Sequence, residues 1–390
     1  MESATQGPGS GRALGRGWLG VLLAGVLVGV AAAGGVGWRA ATGESGVDSG
    51  PTAPSVAPRD VLTGLPAQVR VPATPADLPA DRAVGPAAFL YHVERSGGSD
   101  EPTGTLAQRD IHLVTRSGEQ FRAGRTPATL GPRHQSLSPD GRWLAVRRDG
   151  QWWLRDLTGS TERTVPPGYE VWGWSTDSGS VLIAQLSQSG RAFAVLSTED
   201  GSLRRLDVPA TQLTDVVTLV DGRHLVLVDL EPFTERDAAS PKLTVRVWDM
   251  QTGATRDVPV LRPGQLRPGE TFNSFVPLLT GGGVPARVWV QIARQDAYPT
   301  GGPEGPVAIP ASALVGVDVR SGAPVGRVEL AEPRKGAGEG YLGIVGGELV
   351  LDRTARGRSE LVAVDPVSGD RRVVTELPHL ARVLVPGELW

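Results

Sequence analysis

A short turn motif recurs along the chain and constrains its fold more than any other feature of the sequence. Residues 249–253, 318–322 and 365–369 share the form D-x-x-[ST]-G, and each directly follows a β-rich run. Looser copies end in glycine at three further positions, Gly118, Gly159 and Gly201. Because glycine adopts the left-handed backbone conformation without steric cost, each copy predicts a β-hairpin whose glycine takes that conformation.

The spacing of the six turns predicts the repeating unit. Their glycines are separated by 41, 42, 52, 69 and 47 residues, and a four-stranded blade of a β-propeller takes roughly 40–45 residues. Two insertions, residues 261–269 and 298–310, have the glycine and proline content of surface loops. We therefore predict an all-β fold, a six-bladed β-propeller over residues 85–390, with a seven-bladed ring as the alternative.

A second tight turn lies between these hairpins. Residues 138–146 read S-P-D-G-R-W-L-A-V, and degenerate copies occupy residues 174–179 and 220–228. S-P-D-G-x-x-L-A-V followed by a D-x-x-[ST]-G hairpin resembles the WD40-like and TolB-type β-propeller families, over roughly residues 86–390. A propeller must also close its ring, and residues 381–385 can supply a strand to the blade that contains residues 89–93.

The N-terminal region predicts a membrane anchor. Residues 18–38 carry no charge, have Trp18 and Trp38 at their ends, and as a helix would span roughly 30 Å, the thickness of the hydrocarbon core. Arginines at 12 and 16 indicate that residues 1–17 form a cytoplasmic tail and that the rest lies outside. The alternative is a signal peptide, cleaved after export. Residues 39–84, rich in proline and alanine, predict a flexible linker with a possible short strand.

Composition excludes several classes of site. The chain has no cysteine, so disulfides, cysteine-based zinc sites and thiol nucleophiles are all absent. Its net charge of −3 is spread over mixed acidic and basic residues, which argues against a nucleic-acid partner. The five histidines lack the spacing of a metal site. We predict no cofactor and no metal, and we assign no catalytic residue.

Tryptophans are concentrated between residues 143 and 174. Trp152, Trp153 and Trp172 are the candidates for an aromatic ligand face, since such rings can stack on sugars or peptides. The competing interpretation is packing in the core: Trp172 and Trp174 are two residues apart, so in a regular strand they would share one face and fill the space between blades.

Carboxylates form two further groups. The aspartates that open the hairpins, Asp156, Asp249, Asp318 and Asp365, are predicted to cap their turns through backbone N–H groups rather than to bind a metal. The acidic segment 229–237 lacks the spacing of a calcium loop and is predicted to be a solvated loop.

The leading functional hypothesis is a non-catalytic scaffold or sensor, tethered to the membrane, whose propeller binds a protein or an envelope component outside the cytoplasm. The runner-up is a glycan-active envelope enzyme that uses two carboxylates in the central funnel, drawn from Glu231, Glu235, Asp237 and Asp296. Signal transduction through the anchor is a third possibility, and the short N-terminal tail would require a separate membrane partner for it.

Overall fold

The computed structural model describes residues 62–93, 108–127, 135–187, 190–208, 215–228, 243–261, 265–276, 287–294, 311–331, 338–355, 358–378 and 381–387. Within these ranges the regular secondary structure is entirely β, so the all-β prediction is confirmed. None of the described residues belongs to a helix of the length and apolarity that crossing a bilayer requires. The predicted anchor, residues 18–38, lies outside the described residues.

The strands of the first three blades in chain order, with the strand that completes the first of them, are β1 (Ala87–Val93), β2 (Gln108–Thr115), β3 (Gln120–Pro127), β4 (Gln135–Leu137), β5 (Trp143–Arg148), β6 (Gln151–Asp156), β7 (Glu162–Thr164), β8 (Tyr169–Trp174), β9 (Ser180–Ser187), β10 (Gly190–Ser197), β11 (Leu203–Leu206) and β24 (Ala381–Leu384). The strands of the last three blades are β12 (Asp215–Leu219), β13 (His224–Val228), β14 (Leu243–Asp249), β15 (Thr255–Leu261), β16 (Glu270–Val276), β17 (Arg287–Arg294), β18 (Ala313–Asp318), β19 (Pro324–Glu329), β20 (Gly338–Val345), β21 (Glu348–Ala355), β22 (Arg358–Val364) and β23 (Arg371–Leu377).

These strands form six antiparallel four-stranded sheets, which confirms the six-bladed ring. Five blades are consecutive: β4–β7, β8–β11, β12–β15, β16–β19 and β20–β23. Blade 1 is composite, with the order β24-β1-β2-β3. The fourth strands are the most exposed, as in β7 and β11, so they form the rim, and the first strands face the axis.

The composite blade closes the ring as the sequence predicted. The last strand, β24, pairs with β1 in antiparallel register, with Leu90 opposite Leu384 and Val93 opposite Ala381. No peptide bond joins these two strands directly, so hydrogen bonds and packing must hold this joint.

Six apolar clusters lie between neighbouring blades and follow from the period-2 alternation of side chains. In β17, Val288, Val290 and Ile292 pack into the cluster shared with blade 4, while Trp289 packs into the cluster shared with blade 6. A Cβ atom at Gly316 would lie 2.8 Å from the Trp289 ring. Glycine at this position therefore makes room for the largest fully buried side chain.

The hairpin glycines behave as predicted with one exception. Gly118, Gly201, Gly253, Gly322 and Gly369 all have positive φ. Gly159, the sixth, does not, and its prediction was wrong. There the backbone bond from Asp156 N–H to Thr161 O spans five residues, as the bond from Asp249 N–H to Ala254 O does, but the glycine comes one residue earlier in the turn, and Ser160 takes the place that Gly253 holds.

The alternation also fails at Trp172 and Trp174, which do not share a face. A β-bulge between Val171 and Gly173 adds one residue to β8. Trp174 consequently packs in the cluster between blades 2 and 3, while Trp172 packs against the cluster between blades 3 and 4. A bulge reverses the face of the residues that follow it, and the sequence pattern gave no sign of it.

Part of the predicted linker makes defined contacts with the ring. Leu62, Val69 and Val84 are buried. Isolated parallel bridges join Gln68 to Glu376 and Asp77 to Arg122. Residues 39–61 lie outside the described residues.

Candidate binding site at the ring axis

The two ends of the ring are built from different connections. At one end the first strand of a blade meets the second and the third meets the fourth, and we call this end the capped face. At the other end the second strand meets the third and the fourth meets the next blade, and we call this end the loop face. The three D-x-x-[ST]-G turns, their three looser copies and the S-P-D-G turn all belong to the capped face.

The aspartates of the capped face hold their turns, as predicted. Asp318 Oδ1 accepts hydrogen bonds from the N–H groups of Arg320 and Ser321 at 3.0 and 2.7 Å. Asp365 Oδ1 accepts from Val367 N–H at 2.8 Å, and Asp249 Oδ1 accepts from Gln251 N–H at 2.9 Å. Asp156 Oδ1 accepts from Thr158 N–H at 2.9 Å. The carboxylates thus satisfy backbone donors that the hairpin leaves unpaired.

Arginine side chains tie these capping aspartates to the neighbouring turns of the same blade. Arg142, in the S-P-D-G turn, donates to both carboxylate oxygens of Asp156, at 3.2 Å from Nε and 2.7 Å from Nη2. Arg223 makes the same two-pronged contact with Asp249. Bidentate arginine–carboxylate pairs fix geometry as well as charge. These arginine–aspartate pairs hold the two capped-face turns of a blade together.

Successive blades are also joined at the capped face. Ala87 N–H donates to Gly141 O at 2.8 Å, and Gly387 N–H donates to Leu137 O at 2.9 Å, which links blade 1 to blade 2. Asp140 N–H donates to Ser178 Oγ at 3.0 Å and links blade 2 to blade 3. The turns of this face therefore form a hydrogen-bonded belt.

The loop face carries the long connections. Residues 94–107, 229–242 and 295–312 each join a second strand to a third, and residues 262–269 join β15 to β16. The topology thus brings the predicted acidic loop and both predicted insertions to one end of the ring. On the capped face the long connection is residues 277–286. Most of these segments lie outside the described residues, and so do Glu231, Glu235, Asp237 and Asp296, the carboxylates considered for glycan chemistry.

Polar side chains of blades 1, 2 and 6 lie on the inner two strands of their blades, on the side of the loop face. Arg382 of β24 lies opposite His92 of β1, and both line a small cavity with Gln135 of β4. The cavity has about 10 Å³, room for about one water molecule. His92 is 6% exposed and Gln135 is 3% exposed. Gln135 Oε1 has no hydrogen-bond partner among the described residues.

Asp352 adds a carboxylate to this group from blade 6. It lies opposite Gly340 in the register of β20 and β21. Burial raises the pKa of Asp352, and the positive charge of Arg382 opposes that rise. Its Oδ1 is buried and, among the described residues, has no hydrogen-bond partner. We call Asp352, Arg382, His92 and Gln135 the axis cluster.

The axis cluster offers hydrogen-bond acceptors and one cation rather than a metal site. In the described part of the chain, no three histidine or acidic side chains come together in a way that could hold a metal ion. Sequence reasoning missed Asp352. The signal available was a carboxylate directly after the apolar run 349–351 of β21, opposite a glycine that only the strand register reveals.

The three candidate ligand-face tryptophans lie in different places. Trp152 is 3% exposed in the cluster between blades 2 and 3, and its Nε1 donates to Glu170 Oε2 at 2.6 Å. Trp153 is half-buried against the cluster between blades 1 and 2. Trp172 packs edge to face on Phe193, with ring centroids 6.0 Å apart. The fold does not bring these three rings together on one surface.

No protein-family model matches the chain. A search of curated proteins also gives no match. Among solved structures, the chain is similar to TolB from Acinetobacter baumannii, with 12% identity, a TM-score of 0.40, and coverage of 76% of this chain and 65% of that chain. It is similar to a putative TolB from Agrobacterium tumefaciens, with 11% identity, a TM-score of 0.37, and coverage of 77% and 98%.

A further similar structure is oligogalacturonate lyase from Vibrio parahaemolyticus, with 14% identity, a TM-score of 0.34, and coverage of 75% of this chain and 73% of that chain. TolB-type propellers are thus among the structures that the chain is similar to, in line with the sequence resemblance. At these identities the similarity concerns the fold alone, and the strand topology establishes the six-bladed ring independently.

Proposed function

We propose that this protein is a non-catalytic β-propeller, tethered to the membrane and displayed outside the cytoplasm, that binds a protein or an envelope component at its loop face. The observation that supports this most is the difference between the two faces. The capped face uses many of its polar groups in turns and in contacts between blades, although the buried Nε atoms of Arg116 and Arg287 have no hydrogen-bond partner among the described residues. The loop face combines the long connections with the axis cluster.

The chemistry of the axis cluster suits binding by hydrogen bonds. Gln135 Oε1 and Asp352 Oδ1 are buried and have no hydrogen-bond partner within the part of the chain that the structure describes, and a buried acceptor without a partner costs roughly 1–3 kcal/mol. One water molecule fits the cavity beside Gln135 and would link that side chain to a ligand by hydrogen bonds. Arg382 beside them would attract a carboxylate or polarise a carbonyl of the same ligand.

Tethering rests on the sequence. Residues 18–38 have the length, apolarity and terminal tryptophans of a membrane-spanning helix, with arginines on the N-terminal side. An external propeller on such an anchor would present its loop face to soluble or envelope partners. Connections on a rigid scaffold are where binding proteins usually carry their contacts.

A photocrosslinking amino acid at Arg148 or at Val367, in cells that make the full chain, tests this proposal. Both side chains are exposed, Arg148 next to the β5–β6 turn of the loop face and Val367 in the last turn of the capped face. We expect a discrete adduct from position 148 and none from position 367. Adducts from 367 alone, or none from either position while both variants fold, would contradict loop-face binding.

A further inference from the structure

Residues 62–84, which we call the strap, cross the rim of three blades before β1 begins. At blade 6 the strap lies along the outer strand β23. Val69 N–H donates to Glu376 O at 2.9 Å, and Glu376 N–H donates to Ala67 O at 2.9 Å. Thr375 Oγ1 adds a bond to Pro66 O at 2.8 Å. The strap therefore acts as a short extra strand on the edge of blade 6.

The strap makes the same kind of contact with blade 1. Leu78 N–H donates to Arg122 O at 3.0 Å, and Arg122 N–H donates to Ala76 O at 2.7 Å. The Arg122 side chain also pairs with Asp77, with Nε 2.6 Å from Oδ1. This ion pair is partly exposed and contributes little by itself, so the backbone bonds define the contact.

Blade 2 holds the strap through a buried arginine. Arg155 of β6 is 2% exposed. Its Nη1 donates to Ala80 O at 2.6 Å, and its Nη2 donates to Pro79 O at 3.0 Å and to Arg82 O at 3.2 Å. A buried guanidinium needs such acceptors, since leaving its N–H groups unpaired would be costly. The strap carbonyls therefore supply acceptors that the buried Arg155 guanidinium requires.

The apolar residues of the strap belong to the same clusters as residues of both strands of the ring joint. Leu62 and Val69 belong to the cluster that contains Tyr91 of β1 and Val383 of β24. Val84 and Leu78 pack in the next cluster, between blades 1 and 2. The joint between β1 and β24 is the place in the ring where two neighbouring strands of a blade come from opposite ends of the chain.

We propose that the strap is a clasp that locks the ring at its composite blade. Because it is bonded to blades 6, 1 and 2, opening the joint requires the strap to detach as well as the β1–β24 ladder to break. A force applied to the chain before residue 62 is then distributed over three blades and does not act on β1 alone. The strap also covers the outer edges of β23 and β3, which would otherwise be open to pairing with other chains.

A matched pair of valines tests the clasp. Val69 is 1% exposed and Val71, two residues further along the strap, is 46% exposed. We expect Val69→Asp to raise amide hydrogen exchange in β1, β24 and β23 at least about tenfold, with β13 and β14 in blade 4 nearly unchanged, because the joint opens locally. Val71→Asp should leave all of these strands as they are.

Two results would overturn the proposal: unchanged exchange at the joint in Val69→Asp, or an equal rise in all six blades. A second variant covers the case in which Val69→Asp does not fold. The chain has no cysteine, so Gln68→Cys with Glu376→Cys places a single possible disulfide across a bridged pair. The oxidised form should exchange more slowly at the joint than the reduced form. Equal exchange in the two forms would contradict the clasp.

Discussion

The same strands are joined by different kinds of connection on the capped face and on the loop face. On the capped face, aspartates, arginines and left-handed glycines satisfy one another across short turns. On the loop face, connections such as residues 94–107 and 229–242 are long, and buried acceptors of the axis cluster remain unpartnered among the described residues. Both faces rest on the same clusters between the blades, so the core does not account for the difference.

This difference separates the residues that stabilise the fold from those that we propose for binding. Alternating apolar residues specify the blades, and turn chemistry at the capped face fixes how strands pair and how blades meet. The turns of the loop face carry fewer of these contacts, and we propose that its residues serve binding instead. Substitutions should therefore affect stability mainly at the capped face and affect binding mainly at the loop face.

The largest effect is expected at Gly141. It has φ +68°, and a Cβ atom there would lie 2.2 Å from Ala87 O, in the contact between blades 1 and 2. Gly141→Ala should cost more than about 3 kcal/mol in urea unfolding, because backbone must move. Gly253→Ala is the matched control: φ is +75° but nothing lies within 4 Å, so about 1 kcal/mol is expected. Equal losses of stability in the two variants would show that the contact between blades 1 and 2 has no part in the effect of Gly141→Ala.

A smaller effect is expected at Asp318. Burial would raise the pKa of its carboxyl, but hydrogen bonds from Ser321 and Arg320 outweigh burial, and the pKa is lowered. Asp318→Ala should cost about 1–2 kcal/mol at pH 7, the value of a few hydrogen bonds. A lowered pKa gives stability above the unfolded value, about 3.9, that is lost as pH falls through the folded pKa.

The pH dependence makes the Asp318 prediction specific. The difference between wild type and Asp318→Ala in urea unfolding should shrink between pH 5 and pH 2. Asp207, exposed after β11 toward the loop face, is the control, and Asp207→Ala should change stability by less than about 0.5 kcal/mol. A difference at Asp318 that stays constant with pH would show that the carboxylate's charge has no part in holding the turn.

The smallest effect, of opposite sign, is expected at Asp352. Its pKa is raised mainly by burial, so ionisation at neutral pH opposes folding, and this cost is relieved as pH falls through the raised pKa. Asp352→Asn should therefore raise stability at pH 7, by up to about 1 kcal/mol, while weakening partner binding at the loop face. Lower stability at pH 7 would mean that attraction to Arg382 outweighs the cost of burial.

Local turn chemistry made much of the fold predictable from sequence. The D-x-x-[ST]-G motif carries its own capping group and glycine, so six hairpins, six blades and the pairing of β24 with β1 could all be predicted. Gly159 shows the limit, because it lies one residue earlier in its turn than the glycines of the strict motif and does not adopt positive φ. The β8 bulge, which separates Trp172 from Trp174, leaves no mark in a period-2 pattern.

The axis cluster and the strap could not be predicted for a different reason. Gln135 and Arg382 come from strands far apart in sequence and line one cavity because β24 pairs with β1, while Asp352 of blade 6 is near enough to Arg382 for that charge to oppose the rise of its pKa. The strap has the composition of a linker, and its contacts use backbone groups and Arg155 rather than a side-chain pattern of its own. The positions of the axis cluster and of the strap depend on which distant segments pair with one another, and local propensity does not reveal that pairing.

The most direct test is the labelling of single cysteines on intact cells with a bulky, membrane-impermeant maleimide. Pro167→Cys lies on the loop face and Gln251→Cys on the capped face, both exposed in a chain without other cysteines. The account predicts that both label equally in purified protein and that in cells position 251 labels while position 167 is protected by the bound partner. Labelling of neither position in cells would contradict external display, and equal labelling of both would contradict binding at the loop face.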